Sequence, residues 1–533
     1  MVYGQHIILT ERIRVKIEEV LKMQIELLKQ PIRSYRTIEI RETEEMVENS
    51  IIVPDSKPDI RNMLLADAEC FVTSVEKSGR MVEVGGEIRY RILYVSDTPE
   101  QRPESIVTHF TWSFSVPKPK TEGEFGVFAR CRCQHTEANI INGRKISVRT
   151  VIALICRFYE IRSDETGREI LGENVYLKTV PINTVTLKNN SGINARVSNI
   201  LSLPHGSPAI KEILFSRINL GPAELSYRDE EPCLEARGTA YILYRSDTMD
   251  ESIESVVLEF PVKAATGLQD ANEGMVMANC VLKNWELEPI EDNDGLNTQV
   301  SVNLEVEVDA QSLLMEEQTI IEDAYSTDYR LDLKKNNISI ITDERELSEP
   351  VEINQRIRPD DTSGPLAEVL LVCASERNIA SMMNDSNINI QGTIGVDMVY
   401  SSADKQVKSH QLEMPFSNVF ALPESGQWKI VDVSFNIDDV SFDIAGSDSI
   451  ELSIRLKVKL RVEKIEEIMC TESLTAIKEE NRKKAPVILY FARPEDTLWS
   501  IAKNYRIPVS RLAIENGIDA SAKLEPGKRL FIM

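Results

Sequence analysis

The sequence predicts a mainly β protein: three tandem antiparallel β-rich domains, each a sandwich or an open barrel, followed by a small C-terminal α+β module of strand, helix, helix, strand order. One observation is a repeat of about 150 residues, long enough for each unit to own a core instead of stacking as a solenoid. Another is the period-two alternation that recurs in every unit, which buries one face of a strand and wets the other. The third is the change to helical spacing near the C-terminus, bounded by a capping residue and a glycine stop.

From the N-terminus, Ile13, Ile17, Val20 and Leu21 recur at helical spacing, so residues 1–20 read as a segment whose helix packs on the first β domain or receives a partner. Nearby, Ile38-Glu39-Ile40-Arg41 alternates like a strand. Each unit then holds a strand that follows a glycine and ends in tyrosine, serine and aspartate: Gly86 to Asp97, Gly238 to Asp247 and Gly392 to Asp404. Upstream of these, Pro54 and Pro58 bracket a turn that returns as Pro204 and Pro208, and in stretched form as Pro359 and Pro365. Downstream, alternating runs begin at Ile146, Val300 and Ile450. These landmarks delimit units at 21–163, 164–313 and 314–467, followed by a charged linker at 468–486 that contains Lys478, Arg482, Lys483 and Lys484.

The terminal module spans 487–533. A strand from Ile488 to Ala492 leads to Asp496-Thr497, which caps a helix whose apolar face is Leu498, Ile501, Ala502 and Tyr505. Pro508 and Ser510 open a second helix with Val509, Leu512 and Ala513 inward, Asn516-Gly517 stops it, and Arg529–Ile532 returns as a strand. Trp499 lies beside the inward stripe, where it either completes the small core or anchors a contact.

Composition narrows the function classes. A hydrophobic fraction of 42% with 27% charged residues is that of an ordinary globular chain. The formal net charge of -24 disfavours nucleic acid as a general partner, because phosphates are repelled by most of the surface. From Ala485 onward the balance reverses, with seven Lys/Arg against five Asp/Glu. The first residues lack a basic region followed by a long apolar core, so no signal peptide is expected, and no apolar run has the length of a transmembrane span. Eight scattered cysteines suggest buried thiols in a reducing compartment; Cys131, Cys133 and His135 are the one metal-like cluster, and without a second cluster no metal is expected. The five histidines are widely spread, and no phosphate-binding, zinc-protease or nucleophile-elbow motif occurs. His205 falls in the repeated proline turn, which favours a turn role. The chain is expected to be non-enzymatic, with no cofactor.

The module from Arg493-Pro494-Glu495-Asp496-Thr497-Leu498 to Leu530-Phe531-Ile532 resembles the LysM domain. The resemblance implies recognition of peptidoglycan or another N-acetylglucosamine-containing glycan in a shallow groove between two loops. Those loops correspond here to Glu495, Asp496, Thr497, Leu498 and Trp499, and to Asn516, Gly517 and Ile518. The family commonly has glycine where this chain has Glu495, which places a charge where a ligand approaches. The Val-Pro-Asp-x-Lys-Pro-Asp-Ile element at 53–60, the Leu-Tyr-x-Ser-Asp strand end and the turn at Ile141–Lys145 resemble the DUF3794 or SPOCS domain of endospore-forming Firmicutes, chiefly clostridia. That resemblance is strongest in the first unit and loosest in the third.

Three SPOCS-like units followed by one LysM domain are the arrangement of SipL-like spore-coat morphogenetic proteins. The resemblance implies a scaffold in the mother-cell cytoplasm, at the forespore surface, that docks to a SpoIVA-like basement-layer protein and supports encasement of the forespore. Two other classes stay open: a cell-wall enzyme targeted by its LysM domain, and a phage tail or baseplate component, since LysM modules also end such proteins.

Overall fold

The computed structural model describes residues 25–121, 125–228, 231–269, 274–359, 366–384, 386–404, 406–446, 448–478, 487–520 and 522–533. The helix expected around Ile13 to Leu21 lies outside the described residues. Three sets of strands form the body. The first comprises β1 (Glu26–Ile52), β2 (Ile60–Ser78), β3 (Met81–Ser96), β4 (Pro103–Pro117), β5 (Phe125–Asn142) and β6 (Lys145–Leu171). The second comprises β7 (Val175–Ser202), β8 (Ile210–Leu220), β9 (Glu224–Arg228), β10 (Glu231–Ser246), β11 (Ile253–Ala265), β12 (Met275–Ile290) and β13 (Gln299–Ser326). The third comprises β14 (Tyr329–Ile357), β15 (Leu366–Met383), β16 (Asn387–Ser402), β17 (Val407–Ala421), β18 (Trp428–Ile444) and β19 (Ile450–Lys478).

Each set makes two separate antiparallel sheets, ordered β1-β6-β5 and β2-β3-β4, then β7-β13-β12 and β11-β10-β8 with β9 on β10, then β14-β19-β18 and β15-β16-β17. The paired sheets close on one apolar core per set, so the architecture is three sandwiches and not open barrels. The first core holds Val82, Val84, Ile88, Ile146 and Val148, the inward positions of strands whose other face is wetter. The repeated sequence elements have a structural cause. The strand-end tyrosine bonds the second proline of the turn, with Tyr94 Oη donating to Pro58 O at 2.9 Å and Tyr244 Oη to Pro208 O at 3.2 Å. The turn and the strand end therefore recur together. In the third set the residues between Pro359 and Leu366 lie outside the described ones.

The first and last strands of each set are far longer than the sandwiches need. β1 with β6, β7 with β13 and β14 with β19 continue as two-stranded ribbons past the third strand of their sheet. Each ribbon leaves its sandwich at a register shift, at Ile38, Lys188 and Thr342, and carries a second one at Arg168, Glu322 and Glu472. Such bulges bend a strand and increase its twist, which lets three ribbons wrap one another. They pack as a stalk: Ile32, Ile320, Ile338, Ile340 and Cys470 meet in one layer, and Ile170, Ile321 and Ala324 in another. The expected boundaries at 163/164 and 313/314 thus fall inside β6 and β13. Residues 468–478, expected as the start of a linker, are the end of β19 and pair with β14; residues 479–486 lie outside the described ones.

The three inner sheets also share a centre. Leu64, Leu65 and Leu93 meet Leu214, Phe215 and Leu243, and Leu370, Leu371 and Val399, which are corresponding positions of the three sets. Beneath this apolar layer lies a charged one. Asp67, Arg217 and Cys373 occupy corresponding positions, as do Arg91, Tyr241 and Asp397, and all six are buried. Asp67 pairs with Arg91 at 2.8 Å and with Arg217 at 2.9 Å, while Asp397 lies 3.7 Å from Arg217 and accepts from Gln411 Nε2 at 2.6 Å. Three identical charges at such a site would repel; differing residues let it neutralise itself.

Candidate functional site

The C-terminal module is β20 (Ile488–Phe491), α1 (Leu498–Tyr505), α2 (Val509–Asn516) and β21 (Arg529–Ile532), with β20 and β21 antiparallel. Local chemistry fixes both helices. Thr497 has extended backbone, and its Oγ1 accepts from Ser500 N at 3.1 Å while Ser500 Oγ accepts from Thr497 N at 3.0 Å, a reciprocal cap. Gly517 ends α2 in the left-handed region at φ 62°, where glycine carries no steric cost. Leu498, Ile501, Ala502, Leu512, Ala513, Leu530 and Ile532 form the core.

The eight residues expected to line a groove fall into different roles. Glu495 is exposed. Asp496 staples its own loop, accepting from Tyr490 Oη at 2.6 Å and Arg493 N at 2.8 Å; donation from Tyr490 and then from the Arg493 backbone holds its carboxyl below the ordinary range. Thr497 caps α1 and Leu498 is core. Asn516 ties α2 to β21, with Nδ2 donating to Phe531 O at 2.8 Å and Oδ1 accepting from Phe531 N at 2.6 Å. Gly517 is exposed and Ile518 packs half-buried beside the core. The two loops are therefore anchored separately, one to β20 and one to β21.

Trp499 does more than complete the core. Its indole N–H donates to Asp323 Oδ2 at 2.8 Å, and its ring lies edge-on to Tyr325 at 5.0 Å. Tyr325 stacks on Tyr176 at 5.1 Å and donates to Ile507 O at 2.8 Å. Lys503, one turn along α1, reaches both oxygens of Asp323 at 2.6 and 2.8 Å. Asp323, Tyr325 and Tyr176 belong to the ribbon of the second set, so the module sits on the tip of the stalk. Burial alone would raise the Asp323 carboxyl, but donation from Lys503 and Trp499 holds it below its ordinary value. Sequence reasoning missed this seat, since Asp323 and Tyr325 lie in an unremarkable alternating run about 180 residues from their partners; the (i, i+4) pairing of Trp499 with Lys503 on one helix face was the available signal.

The other sequence candidates are structural. Cys131 and Cys133 pack on the first sandwich core, but a register shift between Cys133 and His135 turns His135 outward, so the three do not share a face. Burial, then hydrogen bonding with Cys131 and Cys133, pushes the Cys70 thiol well above its ordinary value. Among the described residues, no group of three or more His, Cys, Asp or Glu side chains is disposed to hold a metal ion.

Comparison with protein families matches residues 492–532 to the LysM domain and residues 367–445 to the SipL SPOCS domain. The chain carries a SipL SPOCS domain and a C-terminal LysM domain. The SPOCS match spans β15 to β18 of the third sandwich, although the motif resemblance is strongest in the first. No curated protein and no solved structure matches the chain. The two domains are of the binding or scaffold kind and support a sporulation-related, LysM-containing protein. Among the described residues, no helix is long and apolar enough to cross a membrane.

Proposed function

We propose that this chain is a non-enzymatic spore-coat morphogenetic scaffold. In this reading all three sandwiches are SPOCS units, and the LysM domain docks a SpoIVA-type basement-layer protein at the forespore surface, on the mother-cell side. The observation that carries it is the mounting of the LysM domain on the tip of a three-ribbon stalk through Trp499, Lys503, Asp323 and Tyr325. A module presented at the end of a large body suits joining one layer to another better than it suits turnover of a substrate. Ending the chain after Lys478 is expected to abolish capture of the basement-layer protein and ring-like localisation around the forespore, while the β body keeps its thermal unfolding transition. Normal localisation of that truncated chain would refute the docking role.

The LysM match also favours a second reading, binding of peptidoglycan or another N-acetylglucosamine-containing glycan. Exposed Glu495 stands where the family commonly has glycine. If glycan is the ligand, Glu495→Gly should tighten binding of a chitin oligosaccharide by several-fold in a calorimetric titration; no binding by either chain would exclude it.

A further inference from the structure

The β20–β21 ribbon of the LysM domain has two faces, and the core uses one. Ile488, Tyr490, Leu530 and Ile532 point inward. The outward positions are Leu489 and Phe491 on β20 and Phe531 on β21, with Val487 and Met533 just beyond the strand ends, all 47–55% exposed, and Arg529 completing the set. Leu489 stands directly opposite Phe531, and Phe491 opposite Arg529. Isolated exposed apolar side chains are ordinary, but five on one short ribbon are a contiguous patch of the kind that marks an interaction surface. Solvent would select alternation of apolar and polar residues here, which the strands of the body show and this ribbon does not.

Two further observations restrict how a partner reaches the patch. The Phe531 N–H and C=O at the outer edge of β21 are already satisfied by the Asn516 side chain, so a strand cannot add on that side. The α1 surface that carries Trp499 and Lys503 is occupied by the stalk. The border of the patch is basic, with Arg493, Lys528 and Arg529 all exposed, in a chain whose net charge is -24. An apolar centre with a cationic border complements an apolar protein surface bordered by carboxylates.

We propose that the outward face of this ribbon, centred on Leu489, Phe491 and Phe531, is the surface through which the LysM domain captures a protein partner whose own patch is apolar with an acidic rim. This assignment rests on the protein-docking reading above and replaces the loops at Glu495 and Asn516 as its location. The test uses the full chain, with the purified basement-layer protein as probe. Leu489→Ser with Phe531→Ser is expected to weaken binding at least tenfold, and Arg529→Glu by several-fold with loss of the salt dependence. Trp499 fluorescence and thermal unfolding should be unchanged, since these side chains leave the core untouched. Binding by the unaltered chain that persists in both variants overturns the face while the docking reading stands. No binding by the unaltered chain overturns both. Vesicles of anionic and zwitterionic phospholipid form the second arm: lipid binding abolished by the same substitutions, with protein binding unaffected, would make the face a membrane surface and overturn the protein assignment.

Discussion

The charged layer on the central axis and the seat of the LysM domain on the stalk both join parts of the chain that are distant in sequence, and both do so with an aspartate. Asp67 is 1% exposed and meets two arginines that are themselves buried. Asp323 is partly exposed, and its partner Lys503 keeps 42% of its side-chain surface in solvent. The first set is desolvated, so removing one member leaves buried charge only partly compensated by Glu69 and Asp397; the second pair is screened, so its loss releases a contact without leaving a buried charge. The body is therefore locked together, whereas the tip is held by contacts of modest strength.

The largest expected effect breaks the locked region. Asp67→Ala removes the most buried carboxylate shared by Arg217 and Arg91, leaving them Glu69 and, for Arg217, Asp397, and should cost about 3 kcal/mol in urea unfolding. A loss below about 1 kcal/mol would mean that water reaches the layer.

Glu344 of β14 and Glu463 of β19, paired near the bulge at Thr342 where the third ribbon leaves its sandwich, supply a pH test. Burial and the neighbouring Glu344 push Glu463 up to about 7, although Arg461 and a hydrogen bond from Thr37 Oγ1 at 2.9 Å oppose this. Its folded value is raised, so the native state holds a proton that the unfolded chain releases, and stability falls as pH rises from the ordinary glutamate range through 7. Glu463→Gln should stabilise the body by about 1–3 kcal/mol at pH 8 and by little at pH 4, read as a flattened pH profile of unfolding.

At the tip, Trp499→Ala should weaken the seat by about 1–2 kcal/mol, seen as faster hydrogen exchange of α1 with the sandwiches unchanged. Asp323 has a depressed value, so its contribution is complete above the ordinary aspartate range and fades as pH falls through the folded value. Acid should therefore loosen the tip by a step that Asp323→Asn removes. The smallest effect is that of Thr497→Ala, about 1 kcal/mol, confined to the LysM domain.

The axial pairings explain what was legible in the sequence. The Tyr94 and Tyr244 strand ends and their proline turns were visible as a repeat because each bonds within its own unit. The correspondence of Asp67 with Arg217 and Cys373 was not, since nothing local to any of them names the other two. In the terminal module the caps at Thr497 and Gly517 were readable because they act over three or four residues. The exposure of Phe491 and Phe531 depended on which ribbon face the helices cover.

The sequence by itself determined the elements whose causes are local: alternating strands, repeated turns, the capped helices and the LysM and SPOCS motifs. Only the tertiary structure decided that six long strands leave their sandwiches at bulges to build one stalk, that three sheets share a charged centre, and that Trp499 faces Asp323. These depend on non-local pairing, and a strand pattern records which face is apolar without recording what will cover it.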